Sequence, residues 1–362
     1  MHNVNCKGMD KITNVMERWT ALQPLSERDQ EMLSRRFGID FNYNNNHIEG
    51  NTLTYGQTEI LLLFGKVTGE AEIKDVQEMT ASNVGLKMMT EEAQRKDIPL
   101  TQNFIRTLHK TILREDYTVY RNLPGGLTTS YVVHAGQYKT RPNSVITRYG
   151  DRFEYASPEE TPALMNDLVD WYNTAEQSGK FTPVELAALF HYRYIRIHPF
   201  EDGNGRIARL MVNYILLRHC YPMIVVRSRK KNEYLEALRK TDLTVGATPS
   251  LGAHASKRDI QQFLTYFTNL FVEEVTYSIR FLTERGDNVW WFDGERINFR
   301  TDTTSKILCL MNSSPDITIA KLSETVGINV AAVNKQIKQL TNKGFVQRSA
   351  NGNWRLIVTP SI

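Results

Sequence analysis

Residues 198–209 read His198-Pro199-Phe200-Glu201-Asp202-Gly203-Asn204-Gly205-Arg206-Ile207-Ala208-Arg209, and no other stretch restricts the fold as much. Pro199 disfavours helical backbone at His198, so a helix entering this segment has to stop there. The start of that helix is marked as firmly. Thr182 suits a cap, Pro183 the first helical position, and Glu185 closes a capping box. The spacing predicts a helix over 183–195, a glycine-flanked turn, and a second amphipathic helix from Arg206 to about His219, ended by Pro222.

Taken singly, these residues are ordinary. A lone histidine is usually a packed residue, Asp202-Gly203 is usually a turn, and an arginine pair three apart is usually a solvated helix face. Taken together they make one chemical device. Gly203-Asn204-Gly205 precede a helix, where consecutive amides and the helix dipole favour an anion. Glycine lets a ligand approach the backbone closely. Arg206 and Arg209 share a helix face and present two guanidinium forks to successive phosphates. Asp202 is the wrong sign for phosphate but right for a Mg²⁺ bridging carboxylate and phosphate. His198 lies just outside, and an imidazole near its usual pKa suits proton abstraction around neutrality.

The remaining sequence is compatible with a soluble, multidomain chain. At 362 residues and 41% hydrophobic content there is material for two or three domains. Three scattered cysteines, Cys6, Cys220 and Cys309, form neither a disulfide framework nor a zinc set. No apolar run approaches the roughly 20 residues that span a bilayer, and the N-terminus lacks an apolar signal region. A cytoplasmic protein with no membrane partner is the expectation. Net charge is +4, and residues 301–362 account for all of it, with seven basic against three acidic residues. That asymmetry hints at a polyanion partner for the C-terminus.

Along the chain, the first hundred residues read as helical. Thr54 and Gln57 form a capping box ahead of Ile60–Phe64, with a stop at Gly65, and residues 71–95 continue the pattern. Thr101 opens a helix with Phe104, Ile105, Leu108 and Ile112 as its buried stripe. Residues 117–157 turn to Gly, Thr, Tyr and Val, and Asn143–Tyr155 fits a β-hairpin turning at Gly150-Asp151. Leu164, Leu168, Trp171 and Tyr172 share the next helix face. Near residue 300 a third region begins. It predicts a helix over Ile319–Val326 stopped by Gly327, a helix Val330–Asn342 capped by Asn329, and two strands joined at Asn351-Gly352. Val333, Ile337 and Leu340 face inward. This is the pattern of a winged helix-turn-helix.

The segment 198–209 resembles the Fic motif, His-Pro-Phe-x-Asp/Glu-Gly-Asn-Gly-Arg-x-x-Arg, with every specified position filled, and the similarity extends over residues 101–245. The resemblance implies a mainly α fold: a Fic-type helical core with a small β-hairpin flap, joined here to a C-terminal winged helix-turn-helix. The implied domains are an N-terminal helical region over 1–100, the Fic catalytic core over 101–245, a helical extension over 246–299 and the winged helix over 300–362. The implied activity is transfer of AMP from ATP to a Ser, Thr or Tyr hydroxyl of a target protein. His198 would be the catalytic base and Asp202 would hold Mg²⁺. Gly203, Asn204, Gly205 and Arg206 would cradle the α and β phosphates, and Arg209 would grip the γ-phosphate. The 143–155 hairpin would position the target by strand-like pairing. Tyr234 matches a family tyrosine near the nucleotide or is simply a core residue.

Upstream, Asn45-Asn46-His47-Ile48-Glu49-Gly50-Asn51 is similar to the family's inhibitory segment, Ser/Thr-x-x-x-Glu-Gly/Asn. It implies that Glu49 pairs with Arg209 and repels a γ-phosphate. Asn45 stands where Ser or Thr is expected. Read from the residues alone, Glu49 is the end of a short helix stopped by Gly50. In some relatives the same glutamate supports AMP removal, so hydrolytic reversal is a second expected activity. A nucleotide-sensing, DNA-binding regulator is the alternative from another class. The winged helix would bind DNA through Asn334, Lys335, Lys338 and Lys343 with Arg348 and Arg355 on the wing, or serve as a protein-binding or dimer module. Fic relatives often form homodimers through the core.

Overall fold

The structure is a computed structural model and describes residues 2–122, 128–146, 152–284, 289–299, 301–349 and 352–360. In chain order the elements are α1 (His2–Thr20), α2 (Glu27–His47), α3 (Tyr55–Phe64), α4 (Ile73–Gln94), α5 (Gln102–Leu113), β1 (Tyr117–Asn122), β2 (Thr128–Val133), β3 (Ser144–Ile146) and β4 (Arg152–Glu154). They continue with α6 (Thr161–Ser178), α7 (Pro183–Ile197), α8 (Asn204–Arg218), α9 (Lys231–Val245), α10 (Pro249–Ala253) and α11 (Gln261–Thr283). The last set is β5 (Trp290–Phe292), β6 (Glu295–Ile297), α12 (Asp302–Ser313), α13 (Ile319–Val326), α14 (Val330–Asn342), β7 (Val346–Arg348), β8 (Trp354–Leu356) and β9 (Thr359–Pro360). The fold is mainly helical with small antiparallel strand pairs. Among the described residues no helix is long and apolar enough to cross a membrane.

Two compact units are present. One comprises Met1–Asn14, Asn44–Asn51 and Gln77–Glu273; the other comprises Val15–Tyr43, Thr52–Val76 and Glu274–Ile362. Both units draw on the first hundred residues.

The first unit is built on α7 and α8. Both are buried on nearly every side: every residue of Val184–Tyr194 on α7 and of Arg206–Leu216 on α8 is buried. A helix buried all round has to sit at the centre of its domain. α6 and α10 pack on α7, and α5 packs on α8 with Phe104, Ile105, Leu108 and Ile112 buried as the stripe predicts. The β1–β2 hairpin pairs Tyr117 with Val133 through Asn122 with Thr128. The β3–β4 pair sets Ser144 opposite Glu154 and Ile146 opposite Arg152. The predicted turn at Gly150-Asp151 lies outside the described residues.

The second unit carries the winged helix. α12, α13 and α14 enclose Ile307, Leu308, Met311, Leu322, Val333, Ile337 and Leu340, closed by Val346 and Trp354 from the β7–β8 pair. Asn329 Oδ1 accepts from Ala332 N at 2.8 Å and starts α14, and Gly327 ends α13 in left-handed backbone. The sequence pattern did not reveal α12 or the three-stranded β6-β5-β9 sheet. Trp290 of that sheet is wholly buried and donates from Nε1 to Ser305 Oγ at 3.0 Å.

Candidate active site

α7 begins with the Thr182–Glu185 capping box and Pro183 in its first turn, as read from the sequence. It runs two residues further than expected, to Ile197, and stops at His198, whose backbone takes the left-handed conformation (φ 52°). Such backbone is uncommon outside glycine and holds only where the surroundings fix it. They do so here. Lys139 N donates to Pro199 O at 2.9 Å. Its ammonium donates to Ile197 O at 3.1 Å, His198 O at 2.8 Å and Asn143 Oδ1 at 2.9 Å. Asn143 Nδ2 donates to Phe200 O at 3.1 Å.

The His198 imidazole is half-buried and stacks on Tyr155, 3.9 Å between ring centroids at 12°. Burial and then the Lys139 cation push its pKa down to about 3, against smaller raising effects from the Ile195 carbonyl, Glu49 and Asp202. The ring is therefore neutral and able to accept a proton at neutral pH.

The turn after Phe200 is shaped from beneath by His109. This buried ring stacks on Phe200 at 3.7 Å and 4°. Gly136 N donates to His109 Nδ1 at 2.9 Å, which fixes the other nitrogen as the proton carrier, and Nε2 donates to Asp202 O at 3.0 Å. Burial pushes the His109 pKa down to about 4, so this ring is neutral too. Gly203 is in left-handed backbone (φ 75°), and a Cβ there would meet the His109 ring at 3.3 Å. The Asp202 carboxylate accepts from Tyr117 OH, from Gly203 N at 2.6 Å and from Arg206 Nη2 at 3.3 Å. Burial raises its pKa, but Arg206 and these donors outweigh burial and hold it below the usual carboxylate range.

α8 then opens at Asn204 without a side-chain cap. Its first N–H groups point out of the helix end, the arrangement that binds anions. The Asn204 side chain does not face them. Its Oδ1 accepts from Phe200 N at 3.0 Å and its Nδ2 donates to Phe200 O at 2.7 Å, so it fixes the turn and leaves only its amide for a ligand. Arg206 and Arg209 are both buried. The Glu49 carboxylate lies directly over this helix end, because a Cβ on Gly205 would collide with Glu49 Oε1.

Glu49 arrives on the end of α2, a helix of 21 residues rather than a short one. Gly50 N donates to His47 O and Asn51 N to Asn46 O, with Gly50 at φ 100°. This is a Schellman ending that only glycine adopts readily. Arg209 Nη2 donates to Glu49 Oε1 at 2.6 Å and to Asn45 O at 3.1 Å, and Nε donates to Asn45 Oδ1 at 2.6 Å. Asn45 thus supplies a side-chain acceptor where the motif expects a hydroxyl. Burial raises the Glu49 pKa, but the charge and hydrogen bond of Arg209 outweigh it and hold the carboxyl below its usual value. Lys231 Nζ completes the helix end on Ile48 O at 2.6 Å. Tyr234 is buried beside Arg209, and its hydroxyl is hydrogen-bonded to His191 Nε2 at 2.9 Å. It steadies Arg209 from behind.

His198, Asp202, Gly203, Gly205, Arg206, Arg209, Tyr234 and Glu49 therefore converge on one helix end. His109, Tyr117, Lys139 and Asn143 escaped the sequence reading. Only His109 left a trace, as a polar residue beside the apolar stripe of α5. Among the described residues no group of three or more His, Cys, Asp or Glu could hold a metal. One ionised carboxylate beside an open helix N-terminus nevertheless fits Mg²⁺, which commonly takes one or two carboxylates and completes its shell with phosphate oxygens and water.

Comparison with known proteins returns a match to the model described as Fic/DOC family over residues 99–216. A second match, described as winged helix-turn-helix DNA-binding, covers residues 300–347. Protein adenylyltransferase fic-1 of Caenorhabditis elegans is 32% identical over 197 residues, 54% of this chain and 35% of that protein. The solved structure of a Fic-domain-containing signaling protein from Bacteroides thetaiotaomicron is 52% identical and covers 75% of this chain and 96% of its own, with a TM-score of 0.69. The structure of Caenorhabditis elegans Fic-1 shares the fold at 23% identity, covering 76% of this chain and 73% of its own with a TM-score of 0.59. The chain spans well under half the length of the curated relatives it matches.

Proposed function

The chain belongs to the Fic/DOC family, and on that footing we propose that it is a protein adenylyltransferase, which moves AMP from ATP to a side-chain hydroxyl of a target protein and is restrained by its own Glu49. One observation carries this reading: an uncapped helix N-terminus flanked by two buried arginines, with an imidazole at its lip, is covered by a carboxylate of the same chain. A carboxylate there sits where an anionic ligand is favoured.

The chemistry follows from the placement of charge. In-line attack of the hydroxyl on the α-phosphorus breaks the α–β anhydride bond, expels pyrophosphate and loads negative charge onto phosphate oxygens, and fixed amides and cations stabilise it without reorganising. The amides of Asn204, Gly205 and Arg206 meet the α and β phosphates. Arg209 grips the γ-phosphate and so decides which phosphorus faces the nucleophile. Neutral His198 takes the proton from the target hydroxyl. Asp202, ionised and at the rim, would hold Mg²⁺, which neutralises charge on the phosphates when bound. Glu49 opposes all this by holding Arg209 and by repelling a γ-phosphate. The catalytic assignment is to residues 101–245, with the winged helix at 300–362.

Incubation with α-labelled ATP and Mg²⁺ tests the reading. Glu49→Gly is expected to raise label incorporation and His198→Ala to abolish it. Equal incorporation by all three proteins overturns it. A second activity, AMP removal, is favoured because Glu49 is ionised and 40% exposed, open to an attacking water. A further role, DNA binding by the winged helix, is favoured by charge: residues 325–362 contain no acidic residue, and Asn334, Lys335, Lys338 and Lys343 are exposed on α14 and its end. Arg348 and Arg355 lie over the rings of Trp354 and Phe64, at 3.7 and 5.0 Å. Their guanidiniums are shared with protein.

A further inference from the structure

The segment 139–143 runs beside the turn 197–201 and is bonded to it through Lys139, Thr140 and Asn143. Besides the Lys139 and Asn143 contacts, Thr140 donates from N and Oγ1 to Glu201 Oε1 at 3.2 and 3.1 Å. Asn143 is followed directly by β3, the strand expected to receive the target. At its other end the β3–β4 pair delivers Tyr155, which stacks on His198 and whose N donates to Asn143 O at 3.5 Å.

From this juxtaposition we propose that Lys139 and Asn143 are positioning residues, which hold His198 in its left-handed backbone and register the target-binding strand against it. The inference rests on the adenylyltransferase reading and adds the parts that set the distance between base and hydroxyl. The physical basis is the geometry of the ammonium. Lys139 is 3% exposed, and its amine meets three neutral acceptors: the Ile197 carbonyl that ends α7, the His198 carbonyl just past it, and Asn143 Oδ1. A buried carbonyl left without a donor is not tolerated cheaply, and burial lowers the Lys139 pKa only to about 7, so near neutrality the amine keeps a share of the charge that the helix dipole favours. Removing the amine therefore releases Ile197 and His198 from one arrangement. The phosphate seat on α8 is untouched, because Lys139 contacts none of its groups. His198 is faced by Lys139, Tyr155, Glu49 and Asp202, and of these only Lys139 and Tyr155 belong to the strand side.

The test uses the full chain carrying Glu49→Gly, with Lys139→Met, Lys139→Arg or Asn143→Ala added. Lys139→Met is expected to lower kcat for AMP transfer by about 100-fold, the scale of a 1 Å misplacement, with KM for ATP changed less than threefold. Lys139→Arg restores much of the loss, and Asn143→Ala falls between. Equal effects on kcat and KM, or no rescue by arginine, overturn the proposal. A readout independent of activity accompanies these. The His198 Cε1–H resonance, identified by its loss in His198→Ala, shifts in Lys139→Met and in the milder Asn143→Ala. An unmoved signal overturns the proposal. A Glu49→Gly protein that transfers no AMP overturns the activity reading, and the resonance then decides the positioning role alone.

Discussion

Replacing Glu49 by glycine removes one charge from a pair whose strength the structure bounds. Two unit charges about 4 Å apart attract by about 1 kcal/mol in water and about 4 kcal/mol at an effective dielectric near 20. Arg209 is 4% exposed but Glu49 is 40% exposed, so solvent screens one partner. An intermediate figure of about 2 kcal/mol follows, which corresponds to about a 30-fold change in the productive use of Arg209. AMP transfer by Glu49→Gly is therefore expected to exceed wild type by about 30-fold at saturating ATP and Mg²⁺, read by label incorporation. Glu49→Gln keeps the shape and removes the charge, and is expected to recover most of that gain. The sign of the pH dependence is fixed by the direction of the shift. Arg209 holds the Glu49 carboxyl below its ordinary value, so the pair contributes fully above that ordinary value and is lost only as pH falls through the lower folded one. The ratio of variant to wild type is then flat from pH 8 to pH 5. A gain below threefold, or a ratio that collapses between pH 8 and pH 6, refutes the pairing as the source of restraint.

Three other expectations follow from the same geometry. In the Glu49→Gly protein the neutral His198, its pKa pushed down to about 3, leaves kcat without an acid limb between pH 8 and pH 6, whereas a limb near 6.5 in the pH–rate profile contradicts the buried base. Gly50→Ala places a side chain at φ 100°, costing about 1–2 kcal/mol, and is expected to lower Tm and raise basal AMP transfer together; a lowered Tm with unchanged transfer contradicts the role of the α2 ending in holding Glu49. Duplex DNA is expected to bind the full chain at low salt and to be released as salt rises, with Lys338→Glu weakening binding across all sequences; gel shifts showing no complex at low salt remove the DNA reading.

How much of this was legible depends on how local each signal is. Thr54 with Gln57, Thr182 with Glu185, and Asn329 at the head of α14 all bond to residues three positions on, and the structure places each as read. Gly65 and Gly327 end their helices in left-handed backbone for the same local reason. The seat was legible because its parts lie within twelve residues of chain. Glu49 was legible only through resemblance, since it meets Arg209 across 160 residues. His109, Lys139 and Asn143 left no comparable signal. They act on backbone carbonyls and amides 27 to 93 residues away, and a carbonyl has no letter in the sequence. The β6-β5-β9 sheet was missed because strands of three residues or fewer are too short to carry a period.

The ending of α2 has a consequence for how any activator works. Two of the carbonyls at that ending, Asn45 O and Ile48 O, accept from Arg209 and Lys231. Surrendering Arg209 to a triphosphate would therefore strip a peptide oxygen of its donor in the same instant, so occupancy of the nucleotide and loosening of residues 45–50 are two readings of a single event. Amide hydrogen exchange at that terminus becomes a gauge of the switch that needs no knowledge of the target.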